Sequence, residues 1–228
     1  MTAERVVLLR HGRTAWNAAG IWQGQLDVPL DGVGAGEAAA AAAVLAGIPP
    51  SRIVASDLAR ASATAGAVGH RCGVAVETDP ALRELDAGAW QGRSAAEIAE
   101  LWPDDHAAWR HGREVRLGGG ESRAEAGERV ADAVARHVAS TTGGVLLVVG
   151  HGGSMRSGIL RLLDVPEGDG SWLGRLRNAH WAVLAPAPRG WALEGWNVGV
   201  HGPVDCGHPA SAATAPPRSA GTADQPAE

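Results

Sequence analysis

The stretch VVLLRHGRTAW, residues 6–16, decides how the chain is read. Four apolar, strand-forming residues run straight into an arginine, a histidine and a glycine. A short unbroken apolar run of this kind reads as a fully buried strand, as in a parallel sheet. Its end then turns a cation and an imidazole out of the sheet. The same event recurs in VLLVVGHGG, residues 145–153, whose first five residues are the strongest strand pattern in the chain. There His151 follows the strand, and Gly152 and Gly153 follow it. Glycine permits a sharp turn and a close backbone approach to a ligand. If the two strands are neighbours, the imidazoles of His11 and His151 face each other over one pocket.

Outward from these strands, periodicity predicts alternating elements. An irregular stretch runs to Pro29, and Asp31 then caps an alanine-rich helix over 32–46. Residues 53–55 read as a second strand ending at Ser56 and Asp57. A helix over 58–70 follows, closed by Cys72 and Gly73, and residues 74–76 form a third strand. Ser94 caps a helix that Pro103 stops. Residues 109–120 form an excursion rich in arginine and glycine. Helical rhythm returns over 121–140 and 154–163, and residues 181–184 and 191–196 suggest a late hairpin. Strands alternating with helices imply an α/β sandwich with a mostly parallel sheet. In such sheets, ligands bind beyond the carboxyl ends of the strands, which is where Arg10 and His11 stand. We expect one domain over residues 1–202 and a disordered Pro/Ala-rich tail over 203–228.

Bulk composition narrows the chemistry. The chain has 228 residues, enough for a sizeable core, and 45% of them are hydrophobic. Its formal charge of −5 argues against nucleic acid or an anionic membrane surface as a partner. All 20 basic residues are arginine, so amine chemistry such as a Schiff base, or a P-loop lysine, is excluded. The two cysteines, Cys72 and Cys206, build neither a disulfide framework nor a zinc pattern. The apolar run before Arg10 is too short for a signal peptide, so a cytoplasmic setting is the expectation.

Further residues join the histidines. Arg60 falls in the first turn of the helix after the second strand. The macrodipole disfavours a cation there, which suggests an anion to hold. Glu84, within LRELDAG, lies among apolar residues, where a partly buried carboxyl can hold a proton near neutrality. Each has a plainer reading, a surface arginine and an ordinary Glu–Arg pair. A Gly-x-Ser-x-Gly run is absent, which removes the common serine-hydrolase pattern.

Taken in order, RHGRTAWN, WQGQLDVPL, SDLARASATA, LRELDAGAWQG, GGES and VVGHGGSMR resemble the blocks of the histidine phosphatase superfamily, the phosphoglycerate mutase-like proteins. With RNAHW late in the chain, they look similar to bacterial phosphatases of the broad-specificity type and to actinobacterial glucosyl-3-phosphoglycerate phosphatases. The resemblance implies a three-layer α/β/α sandwich with helices on both faces of the sheet. It implies His11 as the phosphorylated nucleophile and Glu84 as proton donor. Arg10, Arg60 and His151 match the phosphate pocket, and Asn17, Gln23 and Gly24 fall on the first loop that contacts the substrate.

That chemistry suits these residue types. A neutral imidazole attacks a phosphate dianion without charge repulsion, provided its other nitrogen keeps the proton, for instance on a backbone carbonyl. Arg10 and Arg60 offer planar, permanently charged forks, and a protonated His151 would add a third donor. No metal or other cofactor is expected, and the partner is a small phosphorylated metabolite such as a sugar phosphate or a phosphoglycerate derivative. A homodimer stays open. The rivals are a cofactor-dependent phosphoglycerate mutase and a non-catalytic phosphate-binding module on the same fold. Hydrolysis is favoured because the mutases' Glu-Arg-His-Tyr-Gly run is here Glu84-Leu85-Asp86-Ala87-Gly88. Trp22, Trp90 and Trp109 are candidate pocket walls. Specificity is expected to reside in residues 102–122 and 181–201, and Arg110, Arg113, Arg116 and Arg123 are candidates for a second anionic group.

Overall fold

The computed structural model describes residues 3–166, 170 and 172–200, so the segment expected as a tail lies outside the described residues. Among the described residues there are six strands: β1 (Arg5–Arg10), β2 (Arg52–Ala55), β3 (Val76–Thr78), β4 (Val145–Gly150), β5 (Trp181–Pro186) and β6 (Trp191–Val198). They form one sheet in the order β3-β2-β4-β1-β5-β6. The first four strands are mutually parallel, and β5 and β6 extend the sheet beside β1 as an antiparallel hairpin. The helices are α1 (Ala15–Ala19), α2 (Gly32–Leu45), α3 (Ala59–Cys72), α4 (Ala95–Leu101), α5 (Pro103–Arg110), α6 (Arg123–Ala139) and α7 (Gly152–Leu162).

The pleat sends alternate residues to opposite faces. Val6 and Leu8 of β1 join Leu146 and Val148 of β4 against Val130 and Val134 of α6 and Ile159 of α7. Val7 and Leu9 join Leu147 and Val149 against Ala41 and Leu45 of α2 and Ala61, Ala65 and Val68 of α3. The central strands β1 and β4 are apolar through their middles because both faces are covered. Three layers result, an α/β/α sandwich, as expected. A third apolar cluster of Leu85, Trp90, Ile98 and Leu117 supports α4 and α5 beyond the strand ends.

This topology places the site. β1 and β4 are adjacent, with Arg10 in register with Gly150. The chain leaves β1 for α2 and α3 on one face and leaves β4 for α7 on the other. That divergence opens a crevice at the carboxyl ends of the two strands.

Three elements differ from expectation. Residues 15–19, expected to be irregular, form α1, closed at its start by a reciprocal cap between Thr14 and Asn17. The capping partner is Asn17 where Glu or Gln is usual, so the signal is weak in sequence. Pro103 ends α4 but also opens α5, followed by Asp104 and Asp105 in the first turn, since proline is well placed at the first helical position. β3 begins at Val76 rather than Val74, because the Val74 N–H caps α3 through the Gly69 carbonyl at 3.0 Å.

Candidate active site

Three parallel strands end at the crevice, and each delivers one part of its floor. β1 delivers Arg10 and His11, β2 leads through Ser56 to Arg60, and β4 delivers His151. The rings of His11 and His151 lie 5.2 Å apart, tilted by 58°. The facing pair expected from the sequence is present.

His11 is almost fully buried. Its backbone N–H continues the sheet ladder to the Gly150 carbonyl at 2.9 Å. Its Nδ1–H donates to the Gly12 carbonyl at 2.7 Å. A carbonyl can only accept, so the proton sits on Nδ1 and Nε2 keeps its lone pair. Burial, and then the charges of Arg10 and Arg60, hold this ring well below the usual histidine range, so it is neutral at pH 7. Gly12 has a different task from the one expected of it. A Cβ there would stand 2.3 Å from the carbonyl oxygen of Gly34 in α2, so the glycine admits a neighbouring helix rather than a ligand. The Gly12 N–H donates to Thr64 Oγ1 at 3.1 Å, tying the loop to α3 as well.

Arg10 donates through one terminal nitrogen to the Leu176 carbonyl at 2.7 Å, and its Nε is buried with no partner among the described residues. Desolvation draws its guanidinium down to about 10, so it stays charged at neutral pH. Arg60, also buried, donates to the carbonyls of Gly24 at 2.7 Å and Leu26 at 2.8 Å. Its Nε donates to His151 Nδ1 at 3.2 Å.

That last bond decides the state of His151. Nδ1 accepts from Arg60, so Nε2 carries the proton and donates it to Ser56 Oγ at 2.9 Å. Burial, followed by the charge of Arg60, drives the ring well below the usual range. The expectation of a protonated His151 is therefore wrong for the ligand-free protein. A buried ring next to two guanidinium groups stays neutral, and both its nitrogens are engaged.

Glu84 closes the crevice opposite. Its surroundings are polar rather than apolar. Its two oxygens accept the N–H groups of Ser154 at 2.7 Å, Leu85 at 3.0 Å and Gly153 at 3.1 Å. Two of these belong to the first turn of α7, where unpaired N–H groups attract a carboxylate. Gly153 makes this approach feasible, since a Cβ there would lie 2.9 Å from Glu84 Oε1.

Arg10, His11, Asn17, Gln23, Gly24, Arg60 and Glu84 all line one cavity of about 660 Å³. His151 is buried behind it. Trp22 and Trp109 form part of the wall, packed edge to face with centroids 4.9 Å apart. Trp90 does not line it. It is fully buried beneath Trp22, filling the cluster that carries α4 and α5. Arg110 and Arg123 reach the cavity, whereas Arg113 and Arg116 do not. Arg116 is drawn to Glu125 and to the Gly120 carbonyl. The late region 181–200 also stays away, because the hairpin is consumed as sheet edge. Leu173, Gly174 and Arg175 take the expected place of that region at the rim.

Sequence reading missed Trp16, Arg156 and Arg175 in the wall and Ser56, Thr64 and Asn178 beneath it. Ser56 sits in the SDLARA run and Asn178 in RNAHW, but neither type announces a role without its partner. Among the described residues that line the cavity, six are arginines and one, Glu84, carries a carboxylate, in a chain whose net charge is −5. The local charge is positive, and the floor offers an uncharged ring nitrogen with a free lone pair.

Comparison with known proteins bears on family and fold. The model of the histidine phosphatase superfamily (branch 1) matches residues 6–199. The glucosyl-3-phosphoglycerate phosphatase of Mycobacterium tuberculosis is 39% identical over 214 residues, spanning 87% of this chain and 96% of the relative. A probable phosphoglycerate mutase of Yersinia enterocolitica is 36% identical over 199 residues, spanning 85% and 90% respectively. Among solved structures, a mycobacterial glucosyl-3-phosphoglycerate phosphatase in complex with VO3 superposes with a TM-score of 0.81 at 39% identity. That match covers 85% of this chain and 98% of the solved one.

Proposed function

The chain belongs to the histidine phosphatase superfamily, and on that premise we propose that it hydrolyses a small phosphorylated metabolite through a phosphohistidine on His11. One observation carries the reading. The His11 ring commits Nδ1–H to the Gly12 carbonyl at 2.7 Å and shares its cavity with Arg10, Arg60 and Glu84.

The reaction follows from those positions. The phosphate settles against Arg10, whose buried Nε lacks a partner among the described residues, and against the edge of Arg60. The Asn17 and Gln23 side chains line the same cavity. His11 Nε2 attacks phosphorus, and the bond from phosphorus to the ester oxygen breaks. Charge on the three equatorial oxygens is met by guanidinium groups already in place, so little reorganisation is needed. Glu84 takes the proton carried in by the phosphate monoanion and hands it to the departing alkoxide. It then takes a proton from water, whose oxygen attacks the phosphohistidine, releasing phosphate and restoring Nε2. His151 acts from behind, through the Arg60 Nε that it accepts from.

The substrate we favour is glucosyl-3-phosphoglycerate or a related carboxylated sugar phosphate. Arg110 and Arg175 exceed what one phosphate requires, and Trp16, Trp22 and Trp109 provide apolar surface for a sugar ring. A phosphatase screen over phosphorylated metabolites, with His11→Ala as blank, tests the proposal. Release of phosphate fastest from esters that also carry a carboxylate is the expected result. Isomerisation of 3-phosphoglycerate dependent on bisphosphoglycerate, with little hydrolysis, would replace it with the mutase reading.

A further inference from the structure

The turn before β5 touches the nucleophile from outside the cavity. Asn178 donates both hydrogens of its amide, one to the His11 carbonyl at 3.0 Å and one to Asn17 Oδ1 at 3.2 Å. The next residue, Ala179, is buried and holds φ at +50, a left-handed conformation that side chains other than glycine rarely adopt. In that conformation its N–H reaches the carbonyls of both Arg10 at 3.1 Å and His11 at 3.2 Å. His180 Nδ1–H closes the turn onto the Asn178 carbonyl at 2.8 Å. Backbone strain concentrates where surrounding structure enforces a position, and here it lies directly under the reacting residue.

The consequence reaches Asn17. Its Oδ1 accepts from the Thr14 N–H at 3.1 Å as well as from Asn178, with the Thr14 hydroxyl also 3.1 Å away. Donors crowd that oxygen, so the amide cannot flip. Its Nδ2, which has no protein acceptor among the described residues, belongs to a side chain that lines the same cavity as Arg10, His11 and Arg60. We propose that Asn178 is a positioning residue, whose amide fixes the His11 carbonyl and turns the Asn17 amide so that its N–H groups meet the phosphoryl oxygens. Nothing in the sequence links residues 17 and 178, which stand at opposite ends of the domain. The inference rests on reading the cavity as a phosphoryl site.

A double-mutant cycle tests it, using full-length protein, p-nitrophenyl phosphate as substrate and inorganic phosphate as competitive inhibitor. Asn178→Ala should lower kcat about tenfold, as small misplacements of reacting groups do. It should weaken phosphate inhibition about fivefold, and in an Asn17→Ala background by less than about twofold, because the shared interaction is already gone. Asn178→Asp keeps the volume but sets oxygens against two acceptors. It should fold with a melting temperature near that of Asn178→Ala and lose at least as much activity. Additive losses in phosphate inhibition, or a folded Asn178→Asp with wild-type kcat, would overturn the assignment. A wild-type protein that releases no phosphate from any ester would instead remove the functional reading beneath it.

Discussion

The floor of the cavity and its far wall are built on opposite principles. On the floor the nucleophile, one of the phosphate-facing arginines and the carboxylate are each tied to backbone. His11 is held by Gly12 and Gly150, Arg60 by Gly24 and Leu26, and Glu84 by the first turn of α7. The wall carried by α4 and α5 is made of tryptophan edges and long cations. Trp109 packs on Trp22 by ring contact, and Arg110 is exposed with no ion-pair partner among the described residues. Phosphoryl transfer needs atoms held in place before the reaction, and the floor is organised that way. Choosing among substrates needs surface and charge that can adjust, and the wall provides those.

This contrast makes the two regions separable by experiment, and the largest effect belongs to the floor. His11→Ala should abolish turnover on every ester, by at least about 10⁴-fold, because the residual site lacks a nucleophile. Mass spectrometry should find no acid-labile phosphate on that variant after exposure to substrate. Measurable turnover with unchanged KM would mean that another group attacks.

Glu84→Gln sharpens the division within the floor. Loss of proton donation should slow alkyl phosphates by about 10²–10⁴-fold while sparing aryl phosphates, whose leaving groups need no proton. Equal losses on both, in steady-state kinetics, would reassign Glu84 to holding α7 in place.

On the wall, combining Trp109→Ala with Arg110→Ala should raise KM for a carboxylated sugar phosphate by about tenfold or more, while p-nitrophenyl phosphate is barely affected. A matching fall in kcat for both substrates would show that the wall and the floor are one unit.

The smallest effect is on stability. His11 and His151 both sit below their unfolded pKa of about 6.5 because they are buried beside arginines. Below that pH the unfolded chain binds protons that the folded one refuses, so stability is complete above about 6.5 and falls as the pH drops. Thermal melts of ligand-free protein from pH 7.5 to 5 should show a falling midpoint. The slope should be shallower in His151→Gln, which removes one of the two groups. A midpoint that rises on acidification would contradict the neutral pair.

Much of the floor is legible in one dimension because strand ends are local events. An apolar run followed by Arg-His-Gly names a buried strand and what leaves it, and the run ending at His151 repeats the message. The apolar character of β1 and β4 likewise announces a sheet covered on both faces, since such strands are stable only out of water. Capping at Asp31 and Ser94 is also readable, because a cap is satisfied within a few residues.

What the sequence could not settle depends on contacts between distant positions. The charge on His151 is decided by Arg60 and by burial, 91 positions apart from its partner in the chain. Whether Trp90 or Trp109 faces the ligand depends on which side of one apolar cluster each occupies. That Arg116 pairs with Glu125 while Arg110 reaches the cavity is set by the path of the loops between α5 and α6. Residue type and spacing determine what each strand end offers. Protonation, orientation and access are properties of the assembled environment, because dielectric and hydrogen-bond partners exist only once remote segments have closed around a side chain.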